Sequence, residues 1–110
     1  MNTFKPSIGA IEAPSLTEVQ ALPGLVLLEF GTEWCGYCRA AQALIAHALA
    51  TPKSTQWQHL KIEDGPGRVL GRSYRVKLWP TLVLLRDGQE VGRLVRPAAA
   101  AEIETAMAKA

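Results

Sequence analysis

The stretch LVLLEFGTEWCGYCRAAQALIAHALA, Leu25 to Ala50, decides the fold. Leu25–Phe30 is apolar apart from Glu29. That is strand length, and near-continuous apolarity fits a strand buried on both faces, as in the centre of a sheet. Gly31–Trp34 reads as a short loop. Cys38–Ala50 is rich in Ala and Leu and reads as a helix, with Pro52 just past its end. Strand, loop and helix follow one another directly, so the helix begins at about Cys35.

Working outward, Pro14–Leu22 reads as a short first helix. Ser15 caps it, Glu18 completes a capping box, and Pro23-Gly24 stops it. Gln56–Asp64 is a second strand. Gly65–Val76 opens with a turn and holds a short helix around Arg68–Tyr74. After Pro80, Thr81–Val95 reads as a hairpin turning at Asp87-Gly88. Beyond Pro97 comes a final helix, with Ile103 and Met107 on one face. Early βαβ alternation followed by a hairpin implies an α/β fold, with a mixed central sheet and helices on both faces. No repeat or linker divides residues 1–110, so a single domain is expected.

Composition narrows the function. The chain has 110 residues, 48% of them hydrophobic, enough for a modest core without a metal or a disulfide framework. Its net charge of +2 is scattered rather than clustered, which argues against nucleic acid as a partner. No apolar run approaches the ~20 residues of a membrane span. Met1–Ser15 has a single Lys and no apolar h-region, so it does not read as a secretory signal.

The chain has two cysteines, Cys35 and Cys38. A structural zinc site needs four ligands, and neither His47 nor His59 makes a standard second ligand pair, so no metal is expected. A disulfide across two residues would close a very small loop and contribute little as a staple. The pair therefore reads as redox-active. Cys35, near a helix N-terminus, meets free N–H groups and the macrodipole, which favour thiolate. It should be the exposed, acidic nucleophile. Cys38, one turn further in, should be covered and less acidic. Gly36 leaves room for a partner sulfur. Thiol–disulfide exchange through a mixed disulfide needs this division of roles.

From about Leu16 to the C-terminus the chain resembles the thioredoxin family. The resemblance rests on EFGTEWCGYC (Glu29–Cys38), YRVKLWPTLVLLRDGQEVGRLV (Tyr74–Val95) and the closing helix. It implies a thioredoxin-like three-layer sandwich and a cis Trp79-Pro80 peptide beside the cysteines. It also implies a groove, near Trp34, Gly36, Tyr37, Trp79 and Pro80, where a substrate chain lies as an added strand. Glu29 matches the family's buried acid, usually Asp, which helps move the proton of the second cysteine. Burial should raise its pKa. His59 stands where a Lys commonly neighbours that acid. Trp57 has no family role and reads as core. Trp79 replaces a small aliphatic residue and either narrows substrate choice or shields the disulfide. Arg96 replaces a small Gly. With Arg93 it reads either as a solvated strand edge or as a basic margin to the groove. Ala43 holds the place of a helix-kinking Pro, and Gly36-Tyr37 departs from the common Gly-Pro.

The resulting expectation is a cytoplasmic, monomeric protein-disulfide reductase. Cys35 attacks, Cys38 resolves and Glu29 assists. It needs no cofactor beyond the Cys35–Cys38 disulfide. Its partners are disulfide-containing proteins and a separate reductase as electron donor. An oxidant or isomerase of an exported compartment is the alternative enzyme. A non-catalytic binding module of the same fold is the alternative from another class.

Overall fold

The structure, a computed structural model, describes residues 5–8 and 13–110. Residues 1–4 and 9–12, on which much of the leader argument rests, lie outside them. Along the chain run β1 (Lys5–Ile8), α1 (Leu16–Gln20), β2 (Leu25–Gly31), α2 (Gly36–Ala48), a 3-10 turn (Pro52–Gln56), β3 (Trp57–Glu63), α3 (Val69–Ser73), β4 (Thr81–Arg86), β5 (Gln89–Val95) and α4 (Ala100–Lys109). The sheet is five-stranded, in the order β1-β3-β2-β4-β5. β3 runs parallel to both β1 and β2, whereas β4 pairs antiparallel with β2 and β5.

β1 is an element that the sequence did not announce, as is the 3-10 turn Pro52–Gln56. Lys5–Ile8 is short, carries Pro6, and shows no alternation. It is legible only through its partner, because it pairs as an edge strand along Leu60–Ile62 of β3. Proline is tolerated at such an edge, where one side of the backbone needs no ladder bond.

β2 is central, as its composition requires. Val26, Leu27, Leu28, Glu29 and Phe30 are all buried. Its side chains alternate between two cores. Val26, Leu28 and Phe30 join Val19, Leu70 and Tyr74 under α1 and α3. Leu27 joins Ala41, Ile45, Trp57, Leu84 and Ile103 under α2 and α4. Trp57 is thus core, as expected. Each large aliphatic side chain so buried contributes about 1.5–3 kcal/mol. The two cores on opposite sides of one sheet are the three expected layers.

Local signals hold the ends. The Ser15 hydroxyl accepts from the Glu18 N–H (3.1 Å), and the Glu18 carboxylate accepts from the Ser15 N–H (2.8 Å). That capping box is worth about 1 kcal/mol. Asp87 and Gly88, both at positive φ, close the β4–β5 hairpin, and Asp87 Oδ1 ties it to the Gly24 N–H (2.7 Å). No helix among the described residues is long and apolar enough to cross a membrane.

Candidate redox site

The site forms where β2 ends and α2 begins. Cys35 is the N-cap of α2, in extended backbone, and its Sγ accepts from the Cys38 N–H at 3.4 Å. An N-cap side chain folds back over the first turn to meet an orphan N–H. That geometry corrects one expectation. Cys35 is not exposed: it is 8% accessible, against 4% for Cys38. Both residues are covered, and the two thiols differ in desolvation, hydrogen bonds and nearby charge.

Both cysteines are unbridged, so the structure holds the dithiol form. Burial pushes the Cys35 thiol up, but the N–H and thiol of Cys38, the Tyr37 N–H and the charge of Arg96 outweigh it, and its pKa is lowered. Burial is also the largest influence on Cys38. A backbone hydrogen bond from Thr32 pulls the other way, but the Cys35 sulfur and the Glu29 charge add to burial, and the pKa is pushed up to about 11. The division into an acidic first and a reluctant second cysteine thus follows from the structure.

Gly31, the last residue of β2, faces Cys38. A Cβ there would lie 2.5 Å from Cys38 Sγ and 4.0 Å from Pro80 Cβ. Only a residue without a side chain lets the strand end, the second cysteine and Pro80 come together. The Trp79-Pro80 peptide is cis, as the resemblance implied. Trp79 meets Trp34 edge to face at a centroid distance of 5.6 Å. Trp34 and Tyr37 are 72% and 60% accessible, so an aromatic rim surrounds a covered sulfur.

Glu29 lies behind Cys38 and is 1% accessible. Its Oε1 lies 2.9 Å from Nε2 of His59, and its Oε2 accepts from Gln42 Nε2 at 2.7 Å. The same Gln42 nitrogen donates to the Cys38 carbonyl (2.9 Å), and Lys61 Nζ donates to Gln42 Oε1 (2.8 Å). Burial raises the Glu29 pKa, as expected from the sequence. Hydrogen bonds from His59 and Gln42, with the charges of His59 and Lys61, more than reverse it, and the net direction is down. The expected rise is therefore corrected: Glu29 is held as an anion. His59 does neighbour it, in the place argued from the resemblance.

The structure adds residues that the sequence did not single out. Gln42 stands four residues after Cys38, on the same helix face, and helical spacing alone could have found it. Asp64 follows β3, and its Oδ2 accepts from the Trp79 indole N–H at 2.9 Å. Arg96 is more than a solvated strand edge. Its guanidinium sits 3.8 Å from the Tyr37 ring centroid, and its Nε donates to the Trp79 carbonyl at 2.8 Å. Arg93 does not join it as a basic margin, because Glu90 takes both of its donor contacts, at 2.8 and 3.0 Å.

A parallel–antiparallel sheet with a dithiol at the start of its longest helix, facing a cis-proline, defines a thiol–disulfide exchange protein. The comparisons make the class specific. The sequence profile of the thioredoxin family, described as Thioredoxin, matches residues 15–109. The reduced form of thioredoxin 2 from Pseudomonas aeruginosa superposes with a TM-score of 0.80. It is 53% identical, and the match covers 94% of this chain and 93% of that one. A thioredoxin of Chlamydia caviae is 38% identical over 66% of this chain and 69% of its own length. One from Mycobacterium bovis is 32% identical over 81% and 76%. The chain belongs to the thioredoxin family, and it is a thiol–disulfide oxidoreductase that acts on protein disulfides.

Proposed function

We propose that the chain works as a reductase of protein disulfides, with Cys35 as nucleophile and Cys38 as resolving thiol. The Cys35 thiolate attacks one sulfur of a substrate disulfide. A mixed disulfide forms, and the other substrate sulfur leaves as thiolate. Cys38 then gives up its proton, with the Glu29 carboxylate behind it as acceptor, and attacks Cys35 Sγ. The second substrate thiolate is released and takes a proton. The substrate gains two electrons, and the Cys35–Cys38 pair is left as a disulfide. A separate reductase returns those electrons. The disulfide is the whole redox apparatus in this reading, and no metal or organic cofactor is called on.

One observation carries the assignment of roles: the opposite displacement of the two thiols, Cys35 down and Cys38 up to about 11. Trp34, Gly36, Tyr37, Trp79 and Pro80 form the surface against which the substrate chain lies. A cytoplasmic monomer is the setting that best fits net reduction.

The Arg96 charge beside Cys35 favours the thiolate, and a more stable dithiol form makes a stronger oxidant. That contact supports the second reading, an oxidant or isomerase. Two measurements decide. Cys35→Ser should abolish disulfide reduction, and Cys38→Ser should accumulate a mixed disulfide at Cys35. Full activity of Cys35→Ser would overturn the assignment. Equilibration against defined thiol–disulfide buffers should then give a potential near roughly −270 mV, whereas one of about −180 to −120 mV would mark an oxidant or isomerase.

A further inference from the structure

Arg96 follows Val95, the last residue of β5, in a conformation that side chains avoid, with φ at 51°. Its N–H donates to the Pro80 carbonyl at 3.0 Å and its Nε to the Trp79 carbonyl at 2.8 Å. The central carbon of its guanidinium lies over the Tyr37 ring, 3.8 Å from the centroid. It therefore joins three places: the loop before β4, the first turn of α2 and the bend just after β5. A backbone held in a sparsely populated region at a functional rim points to a use for the side chain.

These anchors occupy one nitrogen and one face. Among the described residues, the two terminal nitrogens of Arg96 have no hydrogen-bond partner. They form a rigid fork suited to a carboxylate. The fork's position is already fixed by the Tyr37 and Trp79 contacts, so little freedom is lost when a ligand arrives. Its charge is felt at Cys35. Arg93 is paired with Glu90, and Asp64 accepts from the Trp79 indole. A sulfur bonded to Cys35 brings the residues on either side of it to this rim.

We propose that Arg96 is a specificity-determining residue, which selects protein disulfides carrying an aspartate or glutamate next to the cysteine that Cys35 attacks. Trp34 and Tyr37 supply sequence-tolerant apolar contact, and Arg96 reads the neighbouring carboxylate. The proposal rests on the reductase reading above and names its substrate class.

The test uses the reduced full chain and three synthetic peptide disulfides that differ only beside the cysteine: Asp, Ser or Lys. Second-order rate constants for oxidation of the protein by each peptide are measured by stopped flow. Each is divided by the same peptide's rate with free dithiothreitol, which removes the intrinsic effect of the neighbour on the disulfide. The wild type should favour Asp over Ser by about fivefold, the scale of one partly exposed charge pair. Arg96→Met, of similar length but uncharged, should bring the ratio to about one. High salt should do the same to the wild type, without any substitution. A wild-type ratio of one, or a preference that survives in Arg96→Met or in high salt, overturns the proposal. Failure of the reductase reading looks different, since the Ser peptide would then not be reduced by wild type at all.

Discussion

The contact between Gly71 and Asp64 sets up a substitution whose sign depends on its background. A Cβ at Gly71, in the middle of α3, would lie 2.5 Å from Cγ and 2.7 Å from Oδ2 of Asp64. A carboxylate at the end of a side chain can ordinarily swing away. Here Oδ2 is the acceptor for the Trp79 indole, so moving it breaks a charge-assisted hydrogen bond. Such a bond is worth about 1.5–3 kcal/mol. Against that, alanine is better than glycine in a helix by about 1 kcal/mol. Gly71→Ala alone should therefore destabilise the fold by about 0.5–2 kcal/mol, a few degrees in midpoint temperature for a domain of this size. In an Asp64→Ala background the three atoms nearest that Cβ are gone, and the same change should stabilise by up to about 1 kcal/mol. The assay is urea unfolding of the four proteins of the cycle, followed by far-ultraviolet circular dichroism. The expected coupling is about 1.5–3 kcal/mol. An equal effect of Gly71→Ala in both backgrounds would refute the reasoning.

Five other outcomes are expected. Ultraviolet titration of the reduced protein should show two thiolate steps, the first below the ordinary thiol range and the second near 11. Because the fold raises Cys38, its contribution to the stability of the reduced protein is present below the unfolded thiol value of 9.0 and is lost as pH rises through about 11. Because the fold lowers Glu29, its contribution is present above 4.5 and is lost as pH falls through the lowered value, which acid unfolding of wild type against Glu29→Gln will measure. Glu29→Ala should cost about 3 kcal/mol, since it leaves His59 and Gln42 facing an empty buried site; denaturant unfolding that shows no loss would contradict the network. Arg75→Gly, at a position with φ of 57°, should relieve backbone strain and raise stability by about 1 kcal/mol or less, read as a higher unfolding midpoint.

Much of this architecture was legible because each element carries its own period or stop. Leu25–Phe30 can be little else than a central strand, and Ser15 with Glu18 writes the start of α1. The lowered pKa of Cys35 was legible for a similar reason, since helix position alone biases the first thiol toward anion. What was not legible depends on partners distant in sequence. β1 has no pattern of its own and exists by pairing with β3. The direction of the Glu29 shift turned on three donors and charges from α2 and β3, where desolvation alone pointed the other way. Asp64 reads as an ordinary loop acid until the fold brings Trp79 to it. Arg96 showed the same ambiguity, since a strand-end arginine is usually solvated and only the nearness of Tyr37 and the Trp79 carbonyl gives it another role.

The close meeting of Gly31, Cys38 and Pro80 has a consequence for how folding can be watched. Gly31 and Cys38 lie on neighbouring elements, and Pro80 reaches them when β2 and β4 pair. In an unfolded chain Cys35 and Cys38 are two ordinary thiols and should be alkylated at similar rates. Once the sheet closes, the lowered pKa of Cys35 and the raised pKa of Cys38 should make the first thiol react faster than the second. The ratio of labelling at the two positions, read by mass spectrometry after a short pulse, is therefore a built-in clock for assembly of the sheet, and it needs no added probe.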